Sequence, residues 1–112
     1  MLPPPIPKAD KRESRWKSPA HRAFVRSRAC CRCGSIAAVE CAHVRIGSGA
    51  GMGQKPDDWR CVSLCASCHQ EQHTRGERSF WHGADVDAFI NAFNAASPKA
   101  AEIRRLQRER GL

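Results

Sequence analysis

Four cysteines stand in two pairs of equal spacing, Cys30-x2-Cys33 and Cys65-x2-Cys68. Each C-x2-C turn presents two thiolates from one tight bend, and two such turns complete the tetrahedron of soft ligands that zinc prefers. A structural zinc is therefore expected on Cys30, Cys33, Cys65 and Cys68. Cys31 competes with Cys30 as a ligand, but Cys30 keeps the spacing; Cys31, Cys41 and Cys61 read as core filling. Directly after the second pair come His69 and His73. Residues four apart share one face of a helix, so both imidazoles can reach a single ion. Two exposed histidines on an amphipathic helix would show the same spacing, and what strengthens the ion-binding reading is the adjacent knuckle and a third histidine, His43. A neutral imidazole there can take a proton from water. His21 and His82 lack such a context and read as surface residues.

These side chains need elements to hold them. Ser18-Pro19 is a helix start, a capping hydroxyl followed by proline at the first helical position. The helix it opens is expected to run to about Arg28, with Phe24 and Val25 inward and Arg22 and Arg26 outward. Ser35 to Val44 and Trp59 to Leu64 read as two strands of a hairpin. Between them, Gly47 to Gly53 is too rich in glycine for regular structure. This loop lacks the Gly-Lys-Ser/Thr ending of a phosphate loop and a surrounding strand-turn-helix unit, so no nucleotide or other small-molecule cofactor is expected. Cys65 to about Arg75 reads as a helix stopped by Gly76. A further helix is expected over Asp85 to Ala96, from the spacing of Val86, Phe89, Ile90 and Phe93. Ser97-Pro98 reads as the start of a last, arginine-rich helix with the same cap chemistry. The expected division is a basic, disordered or loosely docked arm over 1–17, a core over 18–82, and C-terminal helices with a basic tail over 83–112.

With 112 residues and 6% aromatics, one small domain has little apolar area to bury and needs a staple such as a metal. An odd number of cysteines, seven, rules out complete disulfide pairing within the chain. The opening MLPPPIPKADKR has no apolar stretch of signal-peptide length and nothing approaches a membrane span, so a cytoplasmic protein with no membrane partner is expected. The net charge of +8 and pI near 9.6 suit a polyanionic partner, nucleic acid before membrane, although a merely basic soluble protein would show the same charge.

In this order, a C-x2-C, a strand ending in His, and Leu64-Cys65-x2-Cys68-His69-x3-His73 resemble the His-Asn-His (HNH), or ββα-metal, endonucleases. With Ala42-His43-Val44-Arg45, Lys55-Pro56-Asp57-Asp58, Gly76-Glu77 and Phe80-Trp81, the likeness extends to a phage- and prophage-borne branch related to the RecA-dependent nuclease Ref. It covers roughly residues 21–82. It implies an α+β fold: a small zinc-stapled, treble-clef-like ββα-metal core with flanking helices. It implies DNA as substrate and phosphodiester hydrolysis, with a recombinase filament as a further partner. His43 matches the general base, His69 and His73 the ligands of a catalytic divalent ion, magnesium or manganese. Asp58 falls where this branch keeps an acidic residue, to orient His43 or touch the metal. Arg45, Lys55, Arg104, Arg105 and Arg108 would neutralise flanking phosphates. In one departure, Ala42 stands where many members carry a metal ligand, leaving two protein ligands or a third borrowed from Glu40 or Asp58. Glu77 is expected to cap or pair with an arginine, and Trp81 to pack in the core. The rival is a non-catalytic zinc-dependent DNA-binding module, which needs the four cysteines but not the three histidines together.

Overall fold

A computed structural model of the chain describes residues 15–49 and 55–112. Most of the expected N-terminal arm and residues 50–54 of the glycine loop lie outside the described residues. The described part is an α+β arrangement of one two-stranded sheet and five helices.

Helix α1 spans Pro19–Arg26 and opens as expected, with Ser18 Oγ accepting from the His21 amide at 3.1 Å. Val25 is buried, but Phe24 is only partly so. Strand β1 is Val39–His43, shorter than expected, because Ala38 takes a positive φ of 52° that ends the extended run. Strand β2 is Cys61–Cys65, preceded by a short 3-10 turn at Asp58–Arg60. The strands pair antiparallel, with Val39 opposite Cys65, Cys41 opposite Ser63 and His43 opposite Cys61. Directly paired residues share a face. Ala42, Val62 and Leu64 point into the main core with Val44, Phe80, Trp81 and Ile90. On the other face, fully buried Cys61 and Ser63 lie toward α1.

Chain leaving β2 turns at once into α2, Ala66–Arg75. Gly76 stops it at φ 83°, a conformation open to glycine, and its amide closes on the Gln72 carbonyl at 2.9 Å. A one-turn α3, Glu77–Phe80, follows, which periodicity did not show. Helix α4, Val86–Ala96, is capped by Asp85 accepting from the Ala88 amide at 3.1 Å. Helix α5, Ala100–Glu109, begins later than the Ser97-Pro98 signal indicates. The Ser97 hydroxyl accepts instead from the Lys99 amide at 3.0 Å and bonds His21 Nδ1 at 2.7 Å. His21, expected at the surface, is fully buried, and burial lowers its pKa against the opposing pull of Asp58. His82 is exposed as expected. No helix among the described residues is long and apolar enough to cross a membrane.

Arg15 and Trp16, which the expected division placed in the arm, pack against the turn before β2. Trp16 stacks on Trp59 with ring centroids 5.4 Å apart, its amide donates to Asp57 Oδ1 at 2.6 Å, and its carbonyl accepts from the Asp58 amide at 2.9 Å.

Candidate metal centre and catalytic cleft

The cysteine cluster is assembled by the hairpin. Cys30 and Cys33 sit on a knuckle closed by the Gly34 amide on the Cys30 carbonyl at 2.8 Å, and the antiparallel return brings Cys65 and Cys68 beside it. The four sulfur atoms lie within 4.8 Å of one another, with Cys33 exposed and the others buried. Cys33 Sγ and Cys65 Sγ are 3.7 Å apart. Zinc–sulfur bonds of about 2.3 Å in a tetrahedron require about 3.8 Å between sulfurs. The four cysteines therefore form a cluster that could hold a structural metal such as zinc. The Cys33 amide points at Cys30 Sγ and the Cys68 amide at Cys65 Sγ, each at 3.5 Å. Burial pushes the Cys30 thiol up, but amide hydrogen bonds from Cys65, Cys33 and Arg32 outweigh it and leave it at about 6. Cys31 goes the other way, pushed up to about 12 by burial and by Cys30. Cys30, not Cys31, belongs to the four-sulfur cluster, and Cys31 packs against the core as expected.

Beside this cluster, a cleft of about 690 Å³ is lined from α1 by Arg22 and Arg26, from β1 by Cys41 and His43, and from α2 by His69, Gln72 and His73. Arg45, Lys55, Pro56, Gly76 and Glu77 complete its wall. Among these, Arg22, Arg26, Arg45 and Lys55 are cationic and Glu77 is the only carboxylate. Glu77 turns to the backbone: it accepts from the Arg45 amide at 2.8 and 3.0 Å and from the Ile46 amide at 3.0 Å. It caps the chain leaving β1 rather than pairing with an arginine side chain.

His43 donates from Nε2 to Asp58 Oδ1 at 2.9 Å. Asp58 is fully buried and receives three further donors: Arg15 on Oδ1 at 3.0 Å, and the Ser18 amide and Arg22 on Oδ2 at 2.8 and 2.7 Å. A carboxylate offers about four acceptor sites, and all are taken. Asp58 is thus placed to hold the His43 ring. Burial alone would raise its pKa, but the hydrogen bonds from His43 and Ser18 and the charge of Arg22 hold it well below the usual carboxylate range. Arg22, expected to point outward, turns in to this carboxylate. With Nε2 committed, Nδ1 is the nitrogen of His43 left to accept a proton.

His69 and His73 face each other with Nε2 atoms 3.2 Å apart. Two nitrogens bound at about 2.1 Å to one ion lie about 3.0–3.4 Å apart, so the pair fits a shared divalent ion. His69 Nδ1 donates to Glu40 Oε1 at 2.7 Å, which leaves its Nε2 lone pair toward that position. Glu40 is therefore placed behind the His69 ring, on the nitrogen that does not face His73. Ala42 is fully buried in the core, which accounts for a small apolar residue there. Trp81 is buried as expected and donates to Gln72 Oε1 at 2.8 Å.

Arg45 and Lys55 line the cleft, whereas Arg104, Arg105 and Arg108 lie exposed on α5, outside its lining. Sequence reasoning missed Arg15, Arg22 and Arg26. Only the spacing of Arg22 and Arg26, one helical turn apart, could have signalled a shared basic face.

Fold and cleft together define a small α+β protein with a four-cysteine cluster beside a basic, histidine-lined cleft. The chain belongs to the family described as "protein of unknown function (DUF968)", whose sequence pattern matches residues 5–98. No curated protein matches the chain, and no solved structure does.

Proposed function

We propose that this protein is a metal-dependent DNA endonuclease of the HNH type. The observation that carries the reading is His43, held by buried Asp58, lining the same basic cleft as the paired Nε2 atoms of His69 and His73. In this reading β1, β2 and α2 are a ββα-metal core, and the Cys30–Cys33 knuckle makes it treble-clef-like. His43 Nδ1 accepts a proton from the attacking water, while Asp58 fixes the tautomer and ring orientation. Bound by His69 and His73, a divalent ion such as magnesium or manganese would polarise the scissile phosphate and steady the leaving oxygen. Glu40 holds the His69 ring and its tautomer. Arg26, Arg45 and Lys55 offer charge to phosphates on either side.

The test is plasmid nicking with magnesium, manganese, nickel or cobalt, with and without a recombinase filament, beside His43→Ala. Wild-type nicking is expected, and the variant should lose about 10²–10⁴-fold in rate while keeping its fold, zinc and DNA affinity. Excess ion should partly restore His73→Ala but not His43→Ala. Absence of nicking under every condition sinks the enzyme reading and leaves the zinc-dependent DNA-binding module.

A further inference from the structure

Three cysteines lie outside the four-sulfur cluster, and two of them are adjacent to the cleft's histidine. Cys41 precedes His43 by two residues on β1, and Cys61 stands directly opposite His43 on β2, so the register places all three on one sheet face. Cys41 is half-buried and lines the cleft, whereas Cys61 is fully buried behind it, its sulfur within 4.8 Å of a His43 ring nitrogen and an Asp58 oxygen. We propose that Cys41 and Cys61 form a peroxide-reactive thiol pair, with Cys41 the site of attack and Cys61 the resolving thiol.

Thiols that react first with an oxidant sit in electropositive, partly exposed surroundings. Cys41 meets that description. Pairing with the neighbouring Cys61 thiol and the charges of Arg26 and Arg22 hold the Cys41 thiol below the ordinary range against burial and Asp58. The same pairing and burial raise Cys61, which keeps its proton until it attacks. Cys31 does not meet the description, being pushed up to about 12. In the first step the Cys41 thiolate attacks one oxygen of a hydroperoxide; the O–O bond breaks, the other oxygen leaves as the alcohol or water, and Cys41 becomes a sulfenic acid. In the second, the Cys61 sulfur attacks the Cys41 sulfur, the S–S bond forms, the S–O bond breaks, and water departs with the Cys61 proton. Two thiols are oxidised and one peroxide is reduced, and a dithiol reductant reverses the sequence.

Diagonal neighbours in a sheet are roughly 7–8 Å apart between Cα atoms, slightly beyond the usual reach of a disulfide. Closing the bond must therefore draw the strands together at Cys41 and Cys61, the two positions that flank His43. The resulting loss of nicking rests on the function proposed above; the thiol chemistry does not.

The test treats zinc-loaded wild-type protein with stoichiometric hydrogen peroxide, alkylates the remaining thiols, and maps peptides by mass spectrometry. Cys41 and Cys61 should be recovered as a linked pair, with zinc retained and both thiols restored by dithiothreitol. In Cys61→Ser, the sulfenic acid should persist and be trapped by dimedone at Cys41. The proposal is overturned if Cys41 stays alkylatable while the clustered cysteines oxidise and release zinc, or if Cys41 reacts no faster than Cys31. A linked pair without any nicking activity in the reduced protein would uphold the thiol pair and sink the nuclease reading.

Discussion

Asp58 sets one negative charge against the guanidinium groups of Arg15 and Arg22 in a place water does not reach. Its carboxyl is held below the usual range in the folded chain, so the unfolded chain binds its proton more readily. The stability it contributes is complete above about pH 4, the ordinary carboxylate value, and is lost as pH falls below it. Asp58→Asn should cost about 3 kcal/mol at pH 7, the lower end for a broken buried pair because both arginines keep some exposure. Denaturant melts of wild type and variant should converge as pH drops toward 3, and a gap that stays constant with pH would refute the ionic account. Glu40→Gln probes the other histidine. Removing a carboxylate behind a metal-binding imidazole typically weakens the ion about 10–100-fold, measurable by manganese titration with the zinc site filled, at unchanged melting temperature. At this scale the sequence was legible where partners are neighbours: the facing of His69 and His73 follows from their spacing on a helix that opens at a knuckle. The Asp58 donors at Arg15 and Arg22 lie 43 and 36 residues away and leave no local signal.

The turn from β2 to α2 concentrates three roles in one residue. Cys65 ends the strand, caps the helix by accepting from the Cys68 amide, and belongs to the sulfur cluster. Cys65→Ser should therefore lose the zinc and the fold of the hairpin and α2 together, since a structural zinc supplies much of a small domain's folding energy. Circular dichroism and elemental analysis are the readouts. Wild type purified without added metal should carry one zinc per chain, and less than about half would count against the cluster as a zinc site. Apart from the one-turn α3 and the 3-10 turn at Asp58–Arg60, the elements were readable from caps and periodicity. Their edges were not: β1 starts late because Ala38 turns out of the extended region, and α5 starts late because Ser97 is drawn to His21. Both causes are tertiary or conformational, and neither residue type announces them.

Among the described residues, two groups of positive charge stand out, the cleft wall and the exposed face of α5. Each phosphate neutralised releases condensed counterions, so the slope of affinity against salt counts contacts. Replacing Arg104, Arg105 and Arg108 together with Gln should flatten that slope by about two to three if α5 lies on DNA. Replacing Arg26 should flatten it by about one. An unchanged slope in the first variant would assign α5 a purely solvated face. Truncation would answer this less cleanly, because Ile103 is buried and Glu102 accepts from Trp16 Nε1 at 3.3 Å. That contact, like the one between His21 and Ser97 76 residues apart, shows why the docking of the C-terminal helices was not legible. Their caps and apolar faces are local, but where those faces land is not.

Asp57 joins distant parts of the chain at one atom: its Oδ1 accepts from the Trp16 amide at 2.6 Å and from Arg110 at 3.1 Å. Arg110 also lies over the Trp59 ring, 5.0 Å from its centroid, while Trp16 stacks on that same ring. Residues 16 and 110 are thus tethered to neighbouring points of one short turn. Pulled apart mechanically, they would load this carboxylate and indole before any strand or helix, so the first rupture under tension would strip both segments from the turn that carries Asp58.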